Sequence, residues 1–191
     1  MPPTQQERRQ ATRDALIGAA RRLFTERGYA DVPADEIVAA AGVTRGALYH
    51  HFADKRDLFK AVYESVEIEM TGALAQQLTG IDPANLVDEG LAAYLDMCER
   101  PDVLRIAIVE APAVLGWEQW RELEAQYGLG LVTALLLAQG ISEAQAPTLA
   151  KLVLGALVEA ALVIAHAPKP KAARRDVEVG LRAMLAGVLA R

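Results

Sequence analysis

Thr44, Arg45, Gly46, Tyr49, His50, His51 and Lys55 lie close together in the chain and carry the groups a nucleic acid asks for. The planar fork of Arg45 matches guanine O6 and N7 together, the commonest base-specific contact in a major groove. Tyr49, His51 and Lys55 offer donors to phosphate oxygens, which fix register without reading sequence, and His50 reads as a solvated neighbour of that surface. Gly46 has no side chain and would let a helix approach a duplex closely. Bond-making chemistry finds little support. The histidines are His50, His51 and His166, no pair has the i, i+4 spacing of a helical metal site, and Gly-x-Ser-x-Gly, Walker and dinucleotide fingerprints are missing. No catalytic residue, metal ligand or cofactor is therefore expected.

These residues need a scaffold, and the surrounding sequence supplies one. Ile37, Val38 and Ala41 make an apolar helical stripe, and Gly42 follows where a helix ends in a left-handed residue. Thr44 can cap a second helix with its hydroxyl. A turn this short forces the helices to cross steeply, a helix-turn-helix. Val43, Leu48 and Phe52 then point inward, while Thr44, Arg45 and Tyr49 point outward.

Helical periodicity places helices at about Thr12–Arg27, Ala34–Ala41, Thr44–His51, Asp54–Leu78, Pro83–Glu99, Pro101 to Pro112–Gly116, Glu118–Ala138, Ser142–His166 and Ala172–Leu189. Gly128 and Gly130 are weak points of the seventh. The segment Thr4–Arg13 is expected to lack order until the first helix takes hold. The fold class is all-α, about nine helices in all: an N-terminal three-helix helix-turn-helix DNA-binding domain over residues 1–58 and a C-terminal helical domain over 59–191.

The run from Thr12 to about Val62 resembles the DNA-binding region of the TetR family of repressors. Ala20, Phe24, Gly28-Tyr29, Ile37, Ala41-Gly42-Val43, Gly46, Leu48-Tyr49, His51-Phe52, Lys55, Leu58 and Phe59 carry the likeness at fixed spacing. Ala111–Arg121, with Trp117 and Trp120, is similar to a motif in one branch of that family. The resemblance implies a homodimer that binds a palindromic double-stranded DNA operator, regulates transcription as a repressor, and leaves the operator when a small-molecule effector binds. The chain departs from the family pattern at Val32-Pro33-Ala34-Asp35, where members usually carry Thr or Ser. Pro33 still suits a helix start, but the capping hydroxyl is gone and Asp35 would repel phosphate. Fewer backbone contacts are expected from the second helix.

With 191 residues, 52% of them hydrophobic, the chain can bury a sizeable core. Its net charge of −5 divides unevenly: residues 1–60 hold ten basic and eight acidic side chains, leaving the remainder strongly acidic. That bias turns the N-terminal domain towards DNA, although solvated faces also vary by this much. The single cysteine, Cys98, reads as a small buried hydrophobe or, less naturally beside Glu99, as a redox thiol. No signal peptide is evident, and the apolar run Leu152–Ala167 is shorter than the roughly 20 residues that span a bilayer. A cytoplasmic protein with no membrane partner is expected.

The helix Leu149–His166 is apolar almost all round, and Asp176–Leu189 carries a second apolar stripe. Together they would form a four-helix dimer interface with their mates, or else close the core of a monomer. Tyr94, Met97, Trp117, Trp120 and Tyr127, with Glu110 and Glu159 as polar groups, are candidates for the pocket of an apolar effector. Each also reads as ordinary packing, and Glu159 as a surface charge.

Overall fold

The computed structural model describes residues 4–189 and is helical throughout that range, with no strand among the described residues. α1 (Gln5–Arg27) starts well before Thr12, so the expected disorder of the N-terminus is corrected. The reason is local: the Thr4 hydroxyl accepts the Glu7 N–H at 3.2 Å and the Glu7 carboxylate accepts the Thr4 N–H at 2.6 Å, a reciprocal cap that satisfies two orphan donors. α2 (Ala34–Ala41) and α3 (Arg45–His51) follow. α4 (Lys55–Gln77) is capped by the Asp54 carboxylate, which accepts the Asp57 N–H at 2.7 Å.

α5 (Leu86–Cys98) begins after Pro83, because Asp82 ties the preceding residues into a turn: its carboxylate accepts from Ala84 N–H and its carbonyl from Asn85 N–H, both at 2.9 Å. The expected sixth helix is a π-helical segment, Val103–Glu110, continued by α6 (Ala111–Leu115). Pro112 explains the widening, since its ring would clash with the carbonyl four residues back in a regular helix. α7 (Trp117–Ala138) runs unbroken through Gly128 and Gly130. Gly128 earns its place by close packing: a Cβ there would sit 3.1 Å from Leu154 Cδ1 on the facing helix. α8 (Ala146–His166) follows a turn in which Ser142 does not act as the helix cap, and α9 (Pro170–Leu189) ends the described chain.

A continuous core links the head, α1–α3, to the body. Leu16, Phe24, Ile37, Leu48, Leu58, Phe59 and Tyr63 are fully buried and join Leu95, Ile106 and Leu115 without a break. The central element is α4, which packs on α1, on the π-helical segment and on α5 and α7. Cys98 is buried, and burial pushes its thiol up to about 12, the opposite of a reactive thiolate. By length and composition α8 is apolar enough to cross a membrane, with a mean hydropathy of 2.0, because the helix begins upstream of the run Leu152–Ala167. It packs instead between α7 and α9.

Candidate functional site

The reading face is built by the turn between α2 and α3. Gly42 adopts φ 67°, ψ 30°, and its N–H and that of Val43 return to carbonyls at the end of α2. The Thr44 hydroxyl accepts the Ala47 N–H at 3.2 Å and starts α3. Leu48 and Phe52 are buried against the head, so Thr44, Arg45, Gly46, Tyr49 and His50 are left exposed on the other side.

Arg45 is 65% exposed in its side chain and reaches the Asp35 carboxylate at 3.3 Å across from α2. Its guanidinium also lies 5.8 Å from the Tyr49 ring centroid, and the hydrogen bond to Tyr49, then the Asp35 charge, hold its proton more firmly. The acid expected to repel phosphate thus also pairs with the arginine expected to read bases. Solvent screens an exposed pair of this kind, which leaves Arg45 free to exchange Asp35 for another acceptor.

His50 and His51 stack edge to face at 5.3 Å, and burial, followed by the charges of His50, Arg9 and Arg13, lowers the pKa of His51. Arg9 and Arg13 belong to the early turns of α1. With Arg8, Thr44, His50 and His51 they line an open groove between α1 and α3. This cationic wall escaped sequence reasoning because Thr4–Arg13 was not read as helix; the Thr4–Glu7 capping box was the signal.

Lys55 departs from its expected place as a phosphate anchor. Its ammonium donates to the Tyr29 carbonyl at 2.8 Å and the Val32 carbonyl at 3.1 Å, and lies 4.1 Å from the Tyr29 ring centroid. Burial lowers its pKa. Lys55 is a strut that holds the α1–α2 turn against α4, with most of its donor capacity turned inward.

The expected pocket residues separate. Tyr94 and Trp120 line an internal cavity of about 50 Å³ between α4, α7 and α8, whereas Met97 is buried in the core outside it. Tyr127 packs half-buried against the core. Trp117 is 68% exposed, its ring tilted against that of the buried Trp120, and Glu159 is exposed on α8, so neither lines the cavity. Glu110 lies at the junction of head and body, where its carboxylate accepts the Tyr29 N–H at 2.8 Å.

The cavity's polar groups are ones the sequence reading missed: Tyr63, Glu67 and Glu124. Glu67 stands in the apolar stripe of Tyr63, Met70 and Leu74, and Glu124 in that of Trp120 and Leu131, so a carboxylate within a buried stripe was the available signal. Burial raises both carboxyls to about 7, offset at Glu67 by Tyr63 and at Glu124 by Arg121. Leu74, Tyr94, Leu131, Val132 and Leu157 also line a second, apolar chamber of about 100 Å³ on their other side.

Two further groups of contacts fasten head to body. Arg21 and Arg100 share Glu69 and Asp102, with Arg21 to Glu69 at 2.7 Å and Arg100 to Glu69 at 2.8 Å. Arg56, in the first turn of α4, donates to the Val114 carbonyl at 2.9 Å, the Leu115 carbonyl at 2.6 Å and the Gln119 side chain at 2.8 Å.

Comparison with known proteins agrees with this geometry. Residues 16–62 match the family model "Bacterial regulatory proteins, tetR family", and residues 85–188 match "Tetracyclin repressor-like, C-terminal domain". The TetC protein of transposon Tn10 from Escherichia coli is 32% identical over 132 residues, covering 69% of this chain and 67% of that protein. The regulator AcrR of Shigella flexneri is 48% identical over 58 residues, 30% of this chain and 27% of its own length. A TetR-family regulator from Pectobacterium atrosepticum superposes with a TM-score of 0.85 at 36% identity and 99% coverage of both chains. RolR in complex with resorcinol shares the fold, with a TM-score of 0.73 at 21% identity, covering 94% of this chain and 90% of RolR.

Proposed function

Because the chain belongs to the TetR family of transcriptional regulators, we propose that α3 reads a palindromic operator through Arg45 and that a small molecule in the body releases it. The protein is a DNA-binding regulator, not an enzyme. Its residues 1–58 act as the reading head and 59–191 as the sensing and dimerising body. The observation that carries the assignment is the exposed face Thr44-Arg45-Tyr49 on a helix anchored from behind by Leu48 and Phe52. Base edges fall to Arg45 with Thr44, and Gly46 allows close approach. Phosphates fall to Tyr49, His50 and His51, and Arg8, Arg9 and Arg13 across the groove add charge without sequence preference.

Dimerisation through Leu149–His166 and Asp176–Leu189 is supported by apolar side chains left in the open. Leu152 and Val163 on α8 and Val179 and Met184 on α9 are exposed in the single chain, more than a helix packed on one side needs. A second copy placed by two-fold symmetry would cover them and set two α3 helices about 34–36 Å apart, the spacing of successive major grooves.

Footprinting of the DNA flanking the gene, with a salt titration, tests the proposal. A protected palindrome and a steep fall of affinity with salt are expected. Sequence-independent binding, or none, would refute it.

A further inference from the structure

The cavity between α4 and α7 contains two carboxyl groups that the fold leaves incompletely matched. Glu67 and Glu124 are each 5% exposed. Glu124 Oε2 meets Arg121, but Oε1 has no hydrogen-bond partner. Glu67 forms no ion pair among the described residues, and the neighbouring Tyr63 hydroxyl offsets only part of the effect of its burial. Arg121 is divided: its guanidinium also lies 5.7 Å and 5.9 Å from the rings of Trp117 and Trp120.

A buried carboxylate facing an apolar void costs several kcal/mol compared with a well-packed apolar residue. Leu or Met at these two stripe positions would give a better core, so stability does not account for them. An incoming positive charge does, because it relieves both carboxyls at once, in surroundings where water screens little. The remaining space is hydrocarbon: beyond Tyr94 the second chamber is lined by Leu78, Leu86, Leu91, Leu135 and Leu185. An acidic cavity and an apolar chamber thus lie back to back across the shared side chains Leu74, Tyr94, Leu131, Val132 and Leu157. Anions are repelled by the carboxyls, and neutral alcohols gain hydrogen bonds without the charge attraction.

We propose that this pocket binds lipophilic organic cations, with a protonated amine at Glu67 and Glu124 and its apolar skeleton in the leucine-lined chamber. The proposal rests on the reading of this cavity as the effector site, and names the class of effector.

Three probes of one skeleton test it by titration calorimetry on the full chain at neutral pH: phenylbutylamine, phenylbutanol and phenylbutyrate. The amine is expected to bind at least about tenfold tighter than the alcohol, with no detectable heat from the carboxylate. Glu67→Gln should bring amine and alcohol to within about twofold while alcohol affinity holds and the melting temperature does not fall, which separates lost charge recognition from lost folding. An alcohol that binds as tightly as the amine, a carboxylate that binds best, a preference that survives Glu67→Gln, or no binding by any probe overturns the proposal. Gel shift on operator DNA provides the separate readout. An amine bound with Glu67-dependent preference that leaves the DNA complex intact refutes the effector reading and leaves the ligand class standing.

Discussion

Glu67 should be a destabilising residue whose cost depends on pH. Burial raises its carboxyl from an ordinary value of 4.5 to about 7. Between those limits the folded protein keeps a proton that the unfolded chain has released, so stability falls as pH rises through the interval and the penalty is complete above about 7. At about 1.4 kcal/mol per pH unit the ceiling is roughly 3 kcal/mol, and Glu124, whose charge raises Glu67, shares in the same titration. Glu67→Gln keeps the volume and removes the charge. After the desolvation of the amide itself, a gain of about 2 kcal/mol remains above pH 7, worth roughly 4–8 °C in melting temperature for a chain of this size. Differential scanning calorimetry at fixed protomer concentration and at two pH values, one near the ordinary carboxylate value and one a unit above neutrality, measures it. The gain should be full at the higher pH and close to zero at the lower. No gain at the higher pH, or an equal gain at both, would refute the view that Glu67 is an under-compensated buried carboxyl.

Other substitutions probe the reading head. Arg45→Ala should cost about 1–3 kcal/mol of operator binding and relax preference at one base pair, seen by gel shift against operator variants; unchanged preference removes Arg45 as reader. Asp35→Ala should tighten operator binding a few-fold at low salt and lose the gain at high salt, since the acid faces phosphate and occupies Arg45; weaker binding would mean that Asp35 chiefly orients Arg45. Gly28→Ala should destabilise by about 1–3 kcal/mol in thermal melts, because Gly28 has φ 88° and a Cβ there would lie 2.5 Å from Glu110 Oε1; a neutral result would show that the junction yields easily.

The reading head was legible because its punctuation is local. Gly42, Thr44 and the stripe Val43, Leu48, Phe52 each have one conformational use, and neighbouring residues suffice to infer it. The pocket was less legible because a helical stripe shows which residues turn inward without showing what they meet. Trp117 and Trp120 are close in sequence, yet one is exposed and the other buried. Glu110 looked like a pocket acid and instead receives the Tyr29 N–H from the head. Lys55 misled in the same way: its charge suggested phosphate, and only the three-dimensional placement of the Tyr29 and Val32 carbonyls explains its use. Glu67 and Glu124 were visible as acids in apolar stripes, but their proximity to one cavity depends on how α4 crosses α7.

The two ends of α4 connect the cavity to the reading head. Its first turn carries Lys55 and Arg56, which clamp the α1–α2 turn and the end of α6, and Glu67 lies about 18 Å further along the same axis at a rise of 1.5 Å per residue. A close-packed core transmits displacement in preference to absorbing it. A ligand that enters between α4 and α7 must therefore move α4 as a rod, and α3 follows because Asp54 and Phe52 join it to that rod without a flexible linker. In a two-fold dimer each head would move in opposite directions, so a small tilt at each pocket adds across the pair and shifts the spacing of the two α3 helices. Major grooves tolerate little change in that spacing. On the proposed effector reading the sensing step would need no remodelling of α3, only a change in the angle at which α4 crosses the body, with Glu110 and Arg56 as the contacts that would give.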